Sequence, residues 1–240
     1  MNRSPIELWV YLSASPLLWL TLTLFTWILA SELSKRLGRH PLVNPVLISI
    51  LALSVMMITA EVPYERYFAG AQFIHFLLGP ATVAIAVPLY RKWNEVRALL
   101  LPISVALLVG SIVAMASVIA LGQAFDLPRD ILLSFLPKSA TAGVAMAVSQ
   151  SLGGDPSLTA VLVILTGIFG ALIVTPFMTM MRINDYAARG FAVGLTSHGI
   201  GTARAYEVNP TAGLFAGIAM ALNAVATSVF APFAARYLLP

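Results

Sequence analysis

Apolar stretches of about twenty residues recur along the whole chain, separated only by short polar loops. Hydrophobic residues make up 59% of the 240 and charged ones only 10%, where an ordinary soluble domain carries about a quarter. In lipid every backbone amide must be satisfied within the protein, which leaves helices or a closed barrel. The stretches are long rather than ten-residue alternations, so they predict helices. The expected segments are 9–30, 42–60, 68–90, 98–121, 131–151, 158–181, 187–206 and 212–238. The expected fold is an all-α polytopic membrane protein of about eight membrane segments, a single integral domain over residues 1–240. The first stretch has no basic n-region followed by a small-residue cleavage site, and its apolar core is longer than a signal peptide needs, so it reads as a retained helix, and no transit peptide is visible. With no cysteine, disulfides, thiolate metal sites and iron–sulfur clusters are excluded. The net charge of +4 reports cytoplasmic loops rather than nucleic-acid binding.

Loop charges orient the segments. Lys35, Arg36 and Arg39 place the first loop in the cytoplasm and the N-terminus outside, and Arg91, Lys92 and Arg97 make the third loop cytoplasmic. Glu61, Glu65 and Arg66, then Asp126, Arg129 and Asp130, are acidic or balanced, as outer loops are. Simple alternation then fails, because it puts Arg182 and Arg189 outside. The conflict vanishes if 131–151 is re-entrant and returns to the side it left; the alternative is one loop that disobeys a statistical rule.

That same segment carries Lys138, one of only three lysines. A lysine at the bilayer centre costs roughly 2.5–3.5 kcal/mol on insertion scales, so it needs a partner or an aqueous cavity. Pro137 before it, and Ser139, Thr141 and Gly143 after it, describe an interrupted helix that opens amides beside a cation, which suits a small anion. A faint copy lies 59 residues earlier: Phe76-Leu-Leu-Gly-Pro-Ala-Thr82 aligns with Phe135-Leu-Pro-Lys-Ser-Ala-Thr141. Paired interruptions point to a transporter's midplane site and to an inverted-repeat, transporter-like architecture with two or three broken or re-entrant helices.

A third break is Gly194-Leu-Thr-Ser-His-Gly-Ile-Gly-Thr-Ala-Arg204. Its glycines, hydroxyls, His198 and Arg204 are unsuited to a lipid-facing stripe, and no strand precedes it that would make it a nucleotide turn. As a cavity wall, Ser197, His198, Thr202 and Arg204 offer hydroxyls, amides and a guanidinium fork to a carboxylate. The plainer alternative pairs Arg204 with Glu207 at the membrane edge. His75 can carry a coupled proton, as can His198, or simply donate to a neighbouring carbonyl. Asn44-Pro45 and Asn209-Pro210 read as helix caps, Asn223 as glue between helices, and Gly213, Gly217 and Ala221 as a close-packing stripe. Motifs for hydrolysis, nucleotide binding or metal ligation are missing, so no enzyme, no metal and no cofactor is expected.

His40-Pro-Leu-Val-Asn-Pro45, Phe76-Leu-Leu-Gly-Pro-Ala-Thr82 with Pro88-Leu-Tyr90, Pro137-Lys-Ser-Ala-Thr141, Leu165-Thr-Gly-Ile-Phe-Gly170 and Ser197-His-Gly-Ile-Gly-Thr-Ala-Arg204 together resemble the LrgB/CidB family over essentially the whole chain. That family is described as antiholin-like, an effector of murein hydrolase export. It is also similar to the C-terminal half of the plastid glycolate/glycerate translocator. The resemblance implies a multi-pass protein of the bacterial inner membrane, with a small LrgA/CidA-type membrane protein as partner.

Two functions follow. The first is a secondary transporter for glycolate, glycerate or pyruvate-class monocarboxylates. Its substrate residues are Lys138, Ser139 and Thr141 opposite Ser197, His198, Thr202 and Arg204, and His75 or His198 couples a proton. The alternative is an antiholin-like regulator of a holin-type partner that affects murein hydrolase activity and lysis. The expected partners are the lipid bilayer, a small organic anion, the LrgA/CidA-type protein and further copies of the chain, and not nucleic acid. A one-faced polar stripe long enough for a continuous pore is missing.

Overall fold

The computed structural model of the chain describes residues 15–40, 43–77, 80, 84 and 86–237. Every regular element among them is a helix, and they fall into two compact units, the first through Ala86 and the second from Val87.

The first unit contains α1 (Pro16–Arg36), α2 (Pro45–Thr59) and α3 (Tyr64–Phe76). The Asn44 side chain accepts from the amides of Val46 (2.8 Å) and Leu47 (3.3 Å), and Pro45 opens α2, as the cap reading requires. Gly70 lets α3 approach the α1 backbone: a Cβ there would strike the Pro16 carbonyl and lie 2.9 Å from the Leu20 amide. Trp19, fully buried, sits edge-on to Tyr67 at 6.0 Å. The expected segment 68–90 is not one helix: α3 ends at Phe76 and α4 begins at Ala86. Most of the repeat copy, Thr82 included, lies outside the described residues.

The second unit contains α4 (Ala86–Arg91), α5 (Trp93–Ala98), α6 (Leu100–Ala124), α7 (Arg129–Phe135), α8 (Ala142–Leu152), α9 (Pro156–Met180), α10 (Tyr186–Val208) and α11 (Pro210–Tyr237). Asp155, Asp185 and Asn209 cap α9, α10 and α11 through their side-chain oxygens. Gly153, at φ +90°, ends α8 in the left-handed region that glycine enters without strain. Four of the helices, α1, α6, α9 and α11, are long and apolar enough to cross a membrane. The other expected segments are shorter or broken among the described residues. Apolar composition does not require a full-length helix where the segment packs on protein.

Two of those segments fold back on themselves. In 131–151 the helix stops at Phe135 and restarts at Ala142. Leu132, Leu133 and Leu136 of α7 share one apolar cluster with Val148 of α8. The Asp155 amide then donates to the Ser134 hydroxyl (2.8 Å), and the Thr159 hydroxyl contacts the Ser134 carbonyl (3.1 Å) and the Ser149 hydroxyl (2.7 Å). The exit of α8 is therefore bonded back to the last turn of α7. A crossing segment would separate its ends by about 30 Å.

The second is α10, the expected segment 187–206 that carries the third break. His198 breaks it, with φ 40° and ψ −132°. A Cβ on Gly201 would lie 2.8 Å from a Val193 methyl and 3.0 Å from its carbonyl, though eight residues of straight helix span about 12 Å. The arm before the break lies along α11, with Gly190 and Gly194 against the Ala212 and Ala216 carbonyls; the returning arm sets Tyr206 against Gly213. Sequence patterning predicted the break but not the reversal, because helical periodicity is the same on both arms.

The two hairpins share α11 from opposite ends. Arg129, at the base of the first, donates to the Ala235 carbonyl at 3.0 Å. Tyr186 and Val208, at the base of the second, line one cleft with Ala212. α11 has 28 residues, about 42 Å of helix. Both tips reach its middle.

Candidate site at the hairpin tips

Asn223 stands at that middle, only 2% exposed. Its amide nitrogen donates to the Ser139 carbonyl, in the first break, and to the Leu195 carbonyl, one turn before the second, each at 3.0 Å. Its oxygen accepts from the Ser111 hydroxyl of α6 at 3.1 Å. Two carbonyls bound to one nitrogen lie within about 6 Å of each other. The carboxamide therefore joins both interruptions to two long helices. Sequence reasoning read Asn223 as helix glue and missed what it joins. An amide in the centre of a long apolar helix was the signal.

Around this junction the expected site residues divide into groups. Pro137, Ser139 and Ala140 are buried, and Lys138 is half-buried between them. Amides of Lys138 and Ala140 close tight turns onto the Phe135 and Pro137 carbonyls. Among the described residues the Lys138 ammonium has no ion pair or hydrogen bond. α8 starts at Ala142 without a side-chain bond from Thr141, its N-cap residue, so the Thr141 hydroxyl leaves the first-turn amides to other acceptors. One cation and an open half-helix start thus lie within four residues.

Ser197, His198 and Thr202 form the second tip, all buried and already engaged. The His198 Nε2 donates to the Val163 carbonyl at 2.8 Å, and the Thr202 hydroxyl donates to the His198 carbonyl at 2.7 Å. α9 makes room with glycines: a Cβ on Gly167 would lie 2.7 Å from the imidazole, and one on Gly170 would overlap the Ser197 hydroxyl. The Leu165–Gly170 motif is thus the seat of the second tip.

Arg204 is placed elsewhere. Six residues past the break, it lines a shallow open cleft at the base of the second hairpin with Arg189, Thr175 and Tyr186. It is 6% exposed and bonded to Glu207 at 3.1 Å, so it is both buried and paired. His75 belongs to the first unit, its ring edge-on to Phe68 at 5.7 Å.

Residues 23–237 match the model of the LrgB-like family. A protein of Bacillus subtilis strain 168, YxaC, is 38% identical over 82% of this chain and 87% of its own length. The holin-like protein CidB of Staphylococcus epidermidis is 32% identical over 92% and 96%, and CidB of Staphylococcus aureus strain N315 is 31% identical over 90% and 94%. No solved structure matches the chain. The chain belongs to the LrgB-like family.

Proposed function

We propose that this LrgB-like membrane protein works in a holin-like system, the role for which its CidB relatives are named, by modulating a small LrgA/CidA-type partner and so murein hydrolase activity and lysis. The observation that carries this reading is the match itself. The S. epidermidis CidB aligns over 92% of this chain and 96% of its own length, which leaves little of either protein outside the comparison. Autolysis rates test it in a bacterium lacking its own CidB-type protein. Expressed with an LrgA/CidA-type partner, the chain is expected to change the rate; expressed alone, to leave it unchanged. An equal effect without the partner defeats the reading.

A second reading, transport of a small monocarboxylate of the glycolate, glycerate or pyruvate class across the inner membrane, is favoured by the junction of the two hairpin tips. Set in a bilayer, α6 crosses outward, α7–α8 dips in from outside and returns, α9 crosses inward, and α10 dips from the cytoplasm. That order puts Arg182 and Arg189 in the cytoplasm with Arg91, Lys92 and Arg97, and the charge rule then holds from α4 to α10. α6–α8 and α9–α10 become inverted copies, each a span followed by a half-depth hairpin. In this reading Lys138 holds the carboxylate at the start of α8 with Ser139 and Thr141. Ser197, His198 and Thr202 form the opposing tip, Arg204 stands in the cleft by which the anion arrives, and a histidine, His198 or His75, carries a coupled proton. Uptake of radiolabelled short monocarboxylates into vesicles containing the pure protein is expected, and uptake no greater than in empty vesicles would end this reading.

A further inference from the structure

We infer that the two hairpins are opposed gates, latched tip to tip by Asn223, so that the site between them opens to one face at a time instead of forming a pore. The inference rests on the transport reading for what passes, but its geometry does not. The bases lie at opposite ends of α11, at Ala235 and Ala212. The tips are bonded to one nitrogen in its middle. Each hairpin therefore reaches half the depth of the fold and closes the path that the other leaves open. Release of one tip exposes Lys138 to one side only, while the second tip still seals the other.

Asn223 is fitted to this task by its chemistry. A carboxamide has two N–H donors for two carbonyls, and its oxygen is anchored by Ser111, which fixes which way the group points. Both accepting carbonyls belong to backbone at or near a break, so their bonds to Asn223 can be made and lost without unwinding a helix. The second tip seats on Gly167 and Gly170 with His198 bonded to the Val163 carbonyl, and the hydroxyl cluster of Ser134, Ser149 and Thr159 ties the foot of the first, so both hairpins are held to α9. The bonds that join one tip to the other are those to Asn223.

The natural absence of cysteine permits a side-resolved test. A Cβ on Gly143 meets nothing within 4 Å, and one on Gly199 meets only the Met220 sulfur at 3.9 Å. Gly143→Cys and Gly199→Cys are therefore tolerated reporters, one beside each tip, and both positions are exposed. In oriented vesicles a membrane-impermeant maleimide is expected to label Gly143→Cys from the outside and Gly199→Cys from the cytoplasmic side. Adding Asn223→Ala, which removes both latch bonds, is expected to raise both rates about tenfold. Asn223→Asp keeps the size but sets a carboxylate against two carbonyls, and is expected to act in the same direction. Ser228→Ala, an exposed serine on the same helix bonded to its own Ala224 carbonyl, serves as the control at unchanged rates. Gel filtration in detergent confirms that each variant is folded, and if Asn223→Ala fails it, Asn223→Asp carries the test.

Reporters that label from the same side, or from neither, overturn the opposed gates. Opposite-side labelling with rates unmoved by either folded Asn223 variant overturns the latch. Monocarboxylate flux is measured on the same vesicles. Opposed, latch-dependent labelling without flux leaves the gates standing and removes the transport reading; flux with latch-independent labelling does the reverse.

Discussion

Lys138 and Arg204 are both cations inside an apolar fold, and their surroundings give them different work. Lys138 is half-buried and has no carboxylate or hydrogen-bond partner among the described residues, so its charge needs solvation from outside them. Lys138→Ala is expected to abolish monocarboxylate uptake while the protein stays inserted and folded. Lys138→Arg should also lose most of it, since a planar fork does not replace a compact ammonium at the start of α8. Retention of more than half the uptake by Lys138→Ala removes Lys138 from the site. Arg204 is bonded to Glu207, which is 29% exposed. If the guanidinium serves an arriving anion, Arg204→Gln raises the substrate concentration for half-maximal uptake while Glu207→Gln changes it little. Equal, mild effects of the two substitutions make the pair structural only. Glycines offer a residue-scale test of the fold itself. A methyl on Gly194 meets the Ala216 carbonyl, backbone that cannot move aside, so Gly194→Ala should destabilise by about 1–3 kcal/mol. Gly143→Ala points into open space and should be neutral or stabilising by up to about 1 kcal/mol, as for glycine within a helix. Chemical unfolding in detergent compares them.

At the scale of elements, the hairpins decide the topology. Cysteines placed at Leu127, just past α6, and at Gly153, just past α8, should label from the same face, because the hairpin between them returns to the side it left. Labelling from opposite faces means that 131–151 crosses and the hairpin reading fails. The first hairpin was half legible in the sequence. Pro137 and Lys138 announce a break, since proline and a lone lysine both disfavour a continuous buried helix, and the loop charges hint at a return. The fold-back of α10 was not legible. Ser197-His198-Gly199 marks a weak point, but the reversal depends on Gly167 and Gly170 admitting His198 and Ser197, contacts between positions about thirty residues apart that no local pattern records. The same limit explains the count of spans. Hydropathy finds what tolerates an apolar environment, and helices buried on α11 satisfy that as well as helices that cross the bilayer. Asn223 shows the limit at a single residue: its polarity was visible, its three partners were not.

For the whole molecule, the choice lies between a component that acts through its partner and a carrier that acts by itself, and the kinetics of flux separate them. If the hairpins are opposed gates joined at Asn223, the second unit holds no continuous aqueous path. A carrier of this kind has its empty site return across the membrane before each new cycle, and that return is accelerated when substrate on the far side occupies the site. Vesicles containing only this chain and loaded with labelled pyruvate are therefore expected to empty faster when unlabelled pyruvate is added outside, with a rate that saturates. A pore shows neither behaviour, because efflux through it depends on the gradient of the labelled species alone. Efflux that is brisk but unaffected by outside pyruvate would show a pore, and with it a holin-like action of the chain itself. No efflux until an LrgA/CidA-type partner is co-reconstituted would instead place the working unit in the pair, with the hairpins as the half that the partner controls.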